Sequence, residues 1–333
     1  MNHFKLSVAV CFCLLFATQC IPTGGGGGGT PAPAATYREI IDTSYGVDAK
    51  QKMDIYLPEG RTMASTKTLI LIHGGGWQTG DKSEQTYKNI INRIKVTNPN
   101  VAIVNMNYRL VSGNGDPQLS DLMDDVHSAI TFLKSNASTF KISNRFALWG
   151  FSAGAHLATL YAYAYDTNND VKVVSDWCGP TDFTGTNPND FTLQLIVTGK
   201  NTYMLQRDLL GGVERSDNPT LWSNASPLSH VTASTKPTII IHHSSDPVVP
   251  YYNSSFLNTE LNNVGVPHSL IDARSIVNQE SYKVFGFYMP DINNVSHDFT
   301  DPNGYPIAVD SRITDGVRNY TVDTTLGFFN RFL

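Results

Sequence analysis

The chain has 333 residues, of which 41% are hydrophobic and 16% are charged, and its formal net charge is −5. This length and composition allow one sizeable hydrophobic core, so we expect a single globular domain after the N-terminal segment. The charge provides no basic surface for nucleic acid or for anionic membranes. A small or neutral partner is therefore expected.

The first 36 residues have the composition of a targeting segment followed by a linker. Lys5 precedes an apolar run over 6–17 that has the length of a signal-peptide core and is too short to span a bilayer. Residues 21–36 are rich in glycine and proline, as in a flexible spacer. Cys20, between these two parts, resembles the lipidated cysteine of a bacterial lipoprotein. We expect export, with a lipid anchor on Cys20 at the cell envelope as the only membrane contact, or ordinary secretion as the alternative.

From residue 37 to residue 333, short β-branched runs alternate with helical patterns, which indicates an α/β domain with a mostly parallel central sheet flanked by helices. The predicted strands are 52–57, 68–72, 101–104, 146–149, 171–177, 238–241 and 268–271. The predicted helices are 84–96, a stretch opening at 116–117, one starting at 152, 251–264 and 322–332. The second of these helices is expected to turn Asp121, Asp124 and Asp125 to solvent. The alternation breaks over about 183–236, which predicts a small insertion or cap.

A G-x-S-x-G motif at 150–154 supplies a candidate nucleophile, Ser152. It follows an apolar strand and begins a helix, which is the context in which a sharp turn exposes the serine hydroxyl. The glycines at 150 and 154 are required because a Cβ at either position would clash with the neighbouring strand and helix. The motif in this context predicts nucleophilic catalysis by Ser152.

The sequence His-Gly-Gly-Gly-Trp at 73–77 follows another buried strand. Glycine lets the main chain approach a negatively charged oxygen closely, and backbone amides are the donors that stabilise such an oxygen. We predict an oxyanion hole formed by the amides of Gly75, Gly76 and Ala153. His73 itself is interpreted as a structural hydrogen-bonding residue.

The candidate acid is Asp246, which follows the strand at 238–241, and the candidate base is His297, in a loop before the last helix. The chain order serine, acid, histidine favours both assignments. Asp182 is the rival carboxylate, interpreted as part of the site floor or of the cap hinge. The other histidines are interpreted as structural or without a motif, namely His127, His156, His230, His242, His243 and His268. Their spacing matches no metal motif, so neither a metal nor another cofactor is expected.

Together, the segments 73–77, 107–110, 150–158, 179–182 and 246–250 resemble the α/β-hydrolase esterase and lipase group related to hormone-sensitive lipase and bacterial carbohydrate-ester esterases. The resemblance extends from residue 37 to the C-terminus. It implies cofactor-free hydrolysis of a carboxylic ester by Ser152, Asp246 and His297, on a small-molecule or polysaccharide-linked substrate. The stretch 273–295 is longer than the group usually has, which predicts an inserted hairpin or substrate-shaping loop.

Two other functions are compatible with these residues. An amidase or peptidase could use the same three side chains, because fold and triad do not fix the acyl group. A surface-tethered binding module that has lost its chemistry is the second alternative, which the intact motifs disfavour.

Overall fold

The computed structural model describes residues 34–112, 116–185, 200–244, 246, 248–273 and 311–333, with side chains in the last segment from residue 319 onward. These residues belong to one compact unit that spans Ala34–Leu333. His297 and the stretch 274–310 lie outside the described residues, as do Cys20 and the rest of 1–33. No helix in the described ranges has the length and apolar character that crossing a membrane requires.

In the described part of the chain, the fold is built on one eight-stranded sheet, which confirms the predicted α/β class. The strand order is β1-β2-β4-β3-β5-β6-β7-β8. β1 pairs antiparallel with β2 and β2 antiparallel with β4, whereas all the later pairs are parallel. The strands are β1 (Arg38–Ser44), β2 (Lys52–Leu57), β3 (Thr68–Ile72), β4 (Ala102–Met106), β5 (Phe146–Phe151), β6 (Val171–Trp177), β7 (Thr238–His242) and β8 (His268–Asp272).

Helices cover both faces of the sheet. They are α1 (Gln85–Thr97), α2 (Leu119–Ser135), α3 (Ala137–Phe140), α4 (Ala153–Leu160), α5 (Thr202–Leu209), α6 (Pro219–Asn224), α7 (Tyr252–Asn263) and α8 (Ser311–Phe332). A π-helical turn, Tyr161–Tyr165, continues α4, and a 3₁₀ turn, Pro227–His230, precedes β7. The segment between β6 and β7 contributes α5 and α6, in the region where a cap was predicted.

The apolar pattern of the strands explains the layering. Each residue of β3 and β4 is buried, as expected for central strands covered on both faces. One core lies between the sheet and α2 and α4, and the other lies between the sheet and α1 and α8. The carboxyl ends of the parallel strands therefore share one edge, where the loops after β3, β5 and β7 can meet.

The prediction that Asp125 faces solvent was wrong. Its side chain is fully buried in α2, where it accepts hydrogen bonds from the Gln51 amide (2.7 Å), the Arg109 backbone N–H (2.7 Å) and the Arg109 guanidinium (2.9 Å). A buried carboxylate is tolerated when charged and polar donors satisfy it, as here. Asp125 thus anchors α2 to the loop after β4.

Candidate active site

Ser152 lies at a sharp turn between β5 and α4, as its motif predicted. Its backbone has φ 51° and ψ −119°, in the positive-φ range that non-glycine residues seldom adopt. The turn is held by two backbone hydrogen bonds: the Ser152 N–H donates to Trp177 O (2.7 Å), and Ser152 O accepts from the His156 N–H (3.0 Å). Such local strain is characteristic of functional positions.

The glycines around Ser152 are required by close backbone contacts. A Cβ at Gly150 would lie 2.1 Å from Gly154 O, and a Cβ at Gly154 would lie 2.3 Å from the carbonyl oxygens of Ile72 and His73. A Cβ at Gly74 would lie 2.9 Å from Phe151 O and 3.3 Å from the Ser152 Cβ. The glycine-rich loop after β3 therefore passes directly beside the nucleophile turn.

The loop at 73–80, hereafter the oxyanion loop, is built from unusual backbone conformations. The φ values are 114° at Gly75, 58° at Gly76 and 60° at Trp77. The carbonyl of Gly75 accepts hydrogen bonds from the N–H groups of Gln78 (3.1 Å) and Thr79 (3.0 Å), which closes the turn. Gly76 and Ala153 line one cavity together with Ser152. The loop thus brings Gly76, one of the predicted amide donors, to the cavity beside the serine.

His73 and Tyr108 support the oxyanion loop from the core. The two rings stack with centroids 4.2 Å apart, and the Tyr108 hydroxyl donates to His73 O (3.0 Å). Burial lowers the pKa of His73 to about 4, so the ring is neutral at neutral pH. Trp77 is buried in the same core as Tyr108 and also lines the cavity beside Ser152.

Asp246 lies in the loop after β7, where a carboxylate was predicted. Its Oδ1 accepts hydrogen bonds from the N–H groups of Val248 (2.8 Å) and Val249 (3.0 Å). These two valines line the cavity that contains Ser152. The loop 246–250, hereafter the acid loop, therefore lies against the nucleophile and the oxyanion loop.

Cys178, which directly follows β6, is buried. Burial, followed by the carboxylates of Asp246 and Asp176, raises the pKa of its thiol well above the ordinary value, while an interaction with the Ser152 backbone acts in the opposite direction. Cys178 also has positive φ, and its N–H donates to Ile241 O (2.9 Å). The thiol is thus protonated and serves as packing at neutral pH.

Among the described residues, His242 pairs with Asp246. Its Nε2 lies 3.3 Å from Asp246 Oδ2 and 3.0 Å from Val249 O, so the proton on Nε2 faces two acceptors. Its Nδ1 forms a hydrogen bond with the Ser254 hydroxyl at 2.6 Å. The ring is fully buried, and both nitrogens are engaged. This arrangement suits a residue that fixes the acid loop rather than one that exchanges protons with a substrate.

The remaining rivals have structural surroundings. Asp182 accepts hydrogen bonds from the Thr184 N–H (2.8 Å) and hydroxyl (2.6 Å), and its own N–H donates to Asn253 Oδ1 (2.9 Å). Burial lowers the pKa of His156 to about 4, and its Nε2 donates to Ala225 O (2.8 Å). His297 lies outside the described residues, so its pairing with Asp246 stays a prediction.

A small cavity of about 280 Å³, including its open mouth, adjoins Ser152. Its walls are the oxyanion loop, the acid loop and the inserted helix α5, which contributes Thr202 and Leu205. The sequence singled out neither residue, because an isolated threonine and leucine in a polar insertion carry no motif. The amphipathic spacing of α5 is the sequence signal that could have indicated a buried side of this helix.

The comparisons with known proteins agree with this geometry. The model of the BD-FAE family matches residues 53–261, which contain the serine turn, the oxyanion loop and the acid loop. The chain belongs to the BD-FAE family. This match confirms the predicted membership of the α/β-hydrolase esterase group.

Relatives and solved structures extend the same result. The chain is 28% identical over 248 residues to "Probable carboxylic ester hydrolase LipM" of Mycobacterium tuberculosis, which covers 69% of this chain and 54% of that protein. It is 26% identical over 145 residues to "Kynurenine formamidase" of Danio rerio, covering 43% of this chain and 45% of that protein. The chain thus spans about half the length of these two relatives.

A solved structure described as a truncated form of a carbohydrate esterase from gut microbiota superposes with a TM-score of 0.59 at 20% identity. The match covers 77% of this chain and 98% of that one. At this identity the likeness concerns the fold, and with the strand order it confirms the predicted α/β-hydrolase architecture.

Proposed function

We propose that this BD-FAE protein is a serine carboxylesterase that works through an acyl-enzyme on Ser152. The observation that carries the proposal is the backbone of Ser152, which has φ 51° at a strand-to-helix turn, with the glycine-rich loop against it. This is the arrangement that exposes a serine hydroxyl beside backbone amide donors. The curated relative LipM, described as a probable carboxylic ester hydrolase, supports the same reaction.

The reaction follows from the assigned roles. Asp246 orients His297, which removes the proton from Ser152 Oγ as the oxygen attacks the ester carbonyl carbon. The amides of Gly75, Gly76 and Ala153 stabilise the negative oxygen of the tetrahedral intermediate. The alcohol leaves with the proton from His297. Water, activated by the same histidine, then attacks the acyl-enzyme, and the acid is released as Ser152 regains its proton.

The substrate class in this proposal is a short-chain or carbohydrate-linked ester. The cavity beside Ser152 is small and lined by Trp77, Leu205 and Val249, which favours short acyl groups. The similarity to a gut carbohydrate esterase supports a sugar as the alcohol. We also propose that residues 1–20 direct export and that residues 21–36 tether the enzyme domain, with lipid on Cys20, outside the cytoplasm.

An amide substrate is the second candidate, because the chain is also similar to kynurenine formamidase. The same acyl-enzyme chemistry cleaves amides when the leaving amine is protonated. Activity on p-nitrophenyl acetate that greatly exceeds activity on p-nitroacetanilide and N-formyl aryl amines would favour the ester. The opposite order would favour the amide.

The direct test is hydrolysis of p-nitrophenyl esters from acetate to decanoate, together with acetate release from acetylated xylan. We expect turnover that is greatest for the short esters and that falls by at least about 10⁴-fold in Ser152→Ala. Ser216→Ala, which alters an exposed serine bonded to Asp217, is the matched control and should retain full activity. Equal turnover by Ser152→Ala and the wild type would exclude this mechanism.

A further inference from the structure

We propose that the inserted helix α5 is a brace that holds both the oxyanion loop and the acid loop in their working positions. In this proposal, Gln78, Lys200, Thr202 and Asp208 are positioning residues. The proposal rests on the proposed function, because it assigns these contacts to the site of Ser152. Three sets of contacts carry it.

The first set joins α5 to the oxyanion loop. The Gln78 side-chain amide donates from Nε2 to Asp208 Oδ2 (2.9 Å). The Lys200 ammonium donates to the same carboxylate oxygen (2.5 Å) and to Gln78 Oε1 (3.3 Å). Gln78 follows Gly76 by two residues, and its own N–H closes the turn at Gly75 O (3.1 Å). Asp208 and Lys200 therefore hold the oxyanion loop at Gln78, two residues after the predicted donor Gly76.

This contact is largely protected from water. The Asp208 side chain is 8% exposed and that of Lys200 is 28% exposed. Hydrogen bonds to a charged group are stronger than neutral ones, and the low exposure reduces their screening. A partly buried carboxylate without its donors would be costly, so the three side chains are held together as a unit.

The second set joins α5 to the acid loop. The Thr202 hydroxyl, at the start of α5, donates to Val248 O (2.9 Å). The N–H of the same Val248 donates to Asp246 Oδ1 (2.8 Å). Thr202 thus fixes the residue that supplies one of the donors to the candidate acid.

The third observation is that α5 and both loops line the same cavity. Thr202 and Leu205 both line the cavity beside Ser152, as do Trp77 and the two valines of the acid loop. Neither loop belongs to a helix or strand, so tertiary contacts must define their positions. Amide donors stabilise an oxyanion only when they are held within about 0.5 Å of the productive hydrogen-bonding geometry. The ends of α5 supply such contacts to both loops.

The test compares kcat and KM in variants of the full chain with p-nitrophenyl acetate. Asp208→Ala removes the acceptor shared by Gln78 and Lys200, and we expect kcat to fall roughly 10–100-fold with KM within twofold of the wild type, somewhat less than the loss of an oxyanion donor itself. Gln78→Met, which keeps the side-chain length but removes the amide, should show the same split if Asp208→Ala folds poorly. Asp208→Asn retains an acceptor oxygen and should recover most of kcat.

The matched control is Arg207→Ala. Arg207 is the neighbour of Asp208 on α5, and its guanidinium pairs with Glu214 at 2.9 Å, away from both loops. This variant should keep the kcat of the wild type, which separates bracing from general loosening of the helix. Inactivation by a p-nitrophenyl alkylphosphonate, whose phosphoryl oxygen uses the same donors, should slow in Asp208→Ala by about the factor seen in kcat.

Two results would overturn the brace. One is a kcat for both Asp208→Ala and Gln78→Met within twofold of that for Arg207→Ala. The other is a rise in KM that accounts for the whole loss of kcat/KM, which would mean a role in substrate binding. Failure of the proposed function has a different signature, because the wild type itself would then show no turnover that depends on Ser152.

Discussion

At the residue scale, the nucleophile turn depends on the absence of side-chain atoms at its flanks. We predict that Gly154→Ala lowers the free energy of unfolding by about 3 kcal/mol or more, because the added Cβ would meet two backbone carbonyl oxygens at 2.3 Å. Gly327→Ala is the control on another helix, where no atom lies within 4 Å of the added carbon. It should raise the free energy of unfolding by about 0.5–1 kcal/mol.

Urea unfolding of the two glycine variants checks this prediction. Similar small changes in both would contradict it, since the close contacts at residue 154 would then not constrain the turn. Ester hydrolysis by Gly327→Ala should equal that of the wild type. α8 packs with α1 against one face of the sheet, and no described residue of α8 lines the cavity.

Asp176 provides a second prediction at this scale, on the pH dependence of stability. Burial raises its pKa to about 6; Oδ1 accepts from the Gly179 N–H (2.7 Å), and Oδ2 has no partner among the described residues. The folded protein therefore binds this proton more tightly than the unfolded chain, whose carboxyl has a pKa of about 4. Stability attributable to Asp176 is thus present at pH 4 and is lost as the pH rises to 6.

The variant Asp176→Asn removes this ionisation but keeps an acceptor for Gly179. We expect the difference in free energy of unfolding, variant minus wild type, to increase by roughly 2–3 kcal/mol between pH 4 and pH 7. Urea unfolding of both proteins at several pH values measures it. A difference that does not change with pH would show that Asp176 ionises normally in the folded protein.

Sequence patterns predicted some of these residues and missed others, for physical reasons. The turn at Ser152 was predictable because its motif occupies five consecutive residues between an apolar strand and a helix, although the contact that requires Gly154 comes from the end of β3. The burial of Asp125 was not, because its satisfaction depends on Gln51, which is 74 residues away in the chain. The pairing of Asp246 with His242 was likewise not predictable, because the His242 ring is held by Ser254 of α7.

At the element scale, α5 forms the wall of the cavity, and Leu205 is its apolar contact there. We predict that Leu205→Ala extends the range of acyl chains, raising the ratio of kcat/KM for p-nitrophenyl octanoate to that for acetate at least about tenfold. Removing the side chain opens space in the cavity that the longer chain can occupy. The variant should also lose roughly 2–4 kcal/mol of stability.

Leu209→Ala is the matched control for this prediction. Leu209 lies one turn further along α5, is fully buried in the same core and does not line the cavity. It should lose comparable stability without changing the chain-length ratio. If both variants changed the ratio equally, loosening of the helix rather than the cavity wall would set the selectivity.

Most strands and helices were predictable because their periodicity is strong. β1 was not predicted, since it lies at the edge of the sheet and most of its side chains are exposed, which removes the apolar signal. α8 begins at residue 311 rather than at the predicted 322, because its first part, over 311–321, is mostly polar and contains Gly316. The inserted helices α5 and α6 are short, and their positions depend on contacts with the loops they cover.

At the scale of the whole molecule, the alternation of strand and helix patterns predicted the fold class, and the motifs and their order predicted the family. The parallel strands bring their carboxyl ends to one edge, so residues 76, 152 and 248, far apart in the chain, line one cavity. The sequence could not define the cavity itself, because its walls come from five separate segments. In the proposed function, those walls select the acyl group and the alcohol of the substrate.

The most direct test of the proposed mechanism is covalent labelling with a p-nitrophenyl alkylphosphonate, followed by mass spectrometry of the digested protein. We predict release of one p-nitrophenol per chain, a single adduct on the Ser152 hydroxyl, and loss of ester hydrolysis in step with labelling. Ester hydrolysis that persists in the fully labelled protein, or an adduct that forms equally in Ser152→Ala, would contradict the assignment of Ser152 as the nucleophile.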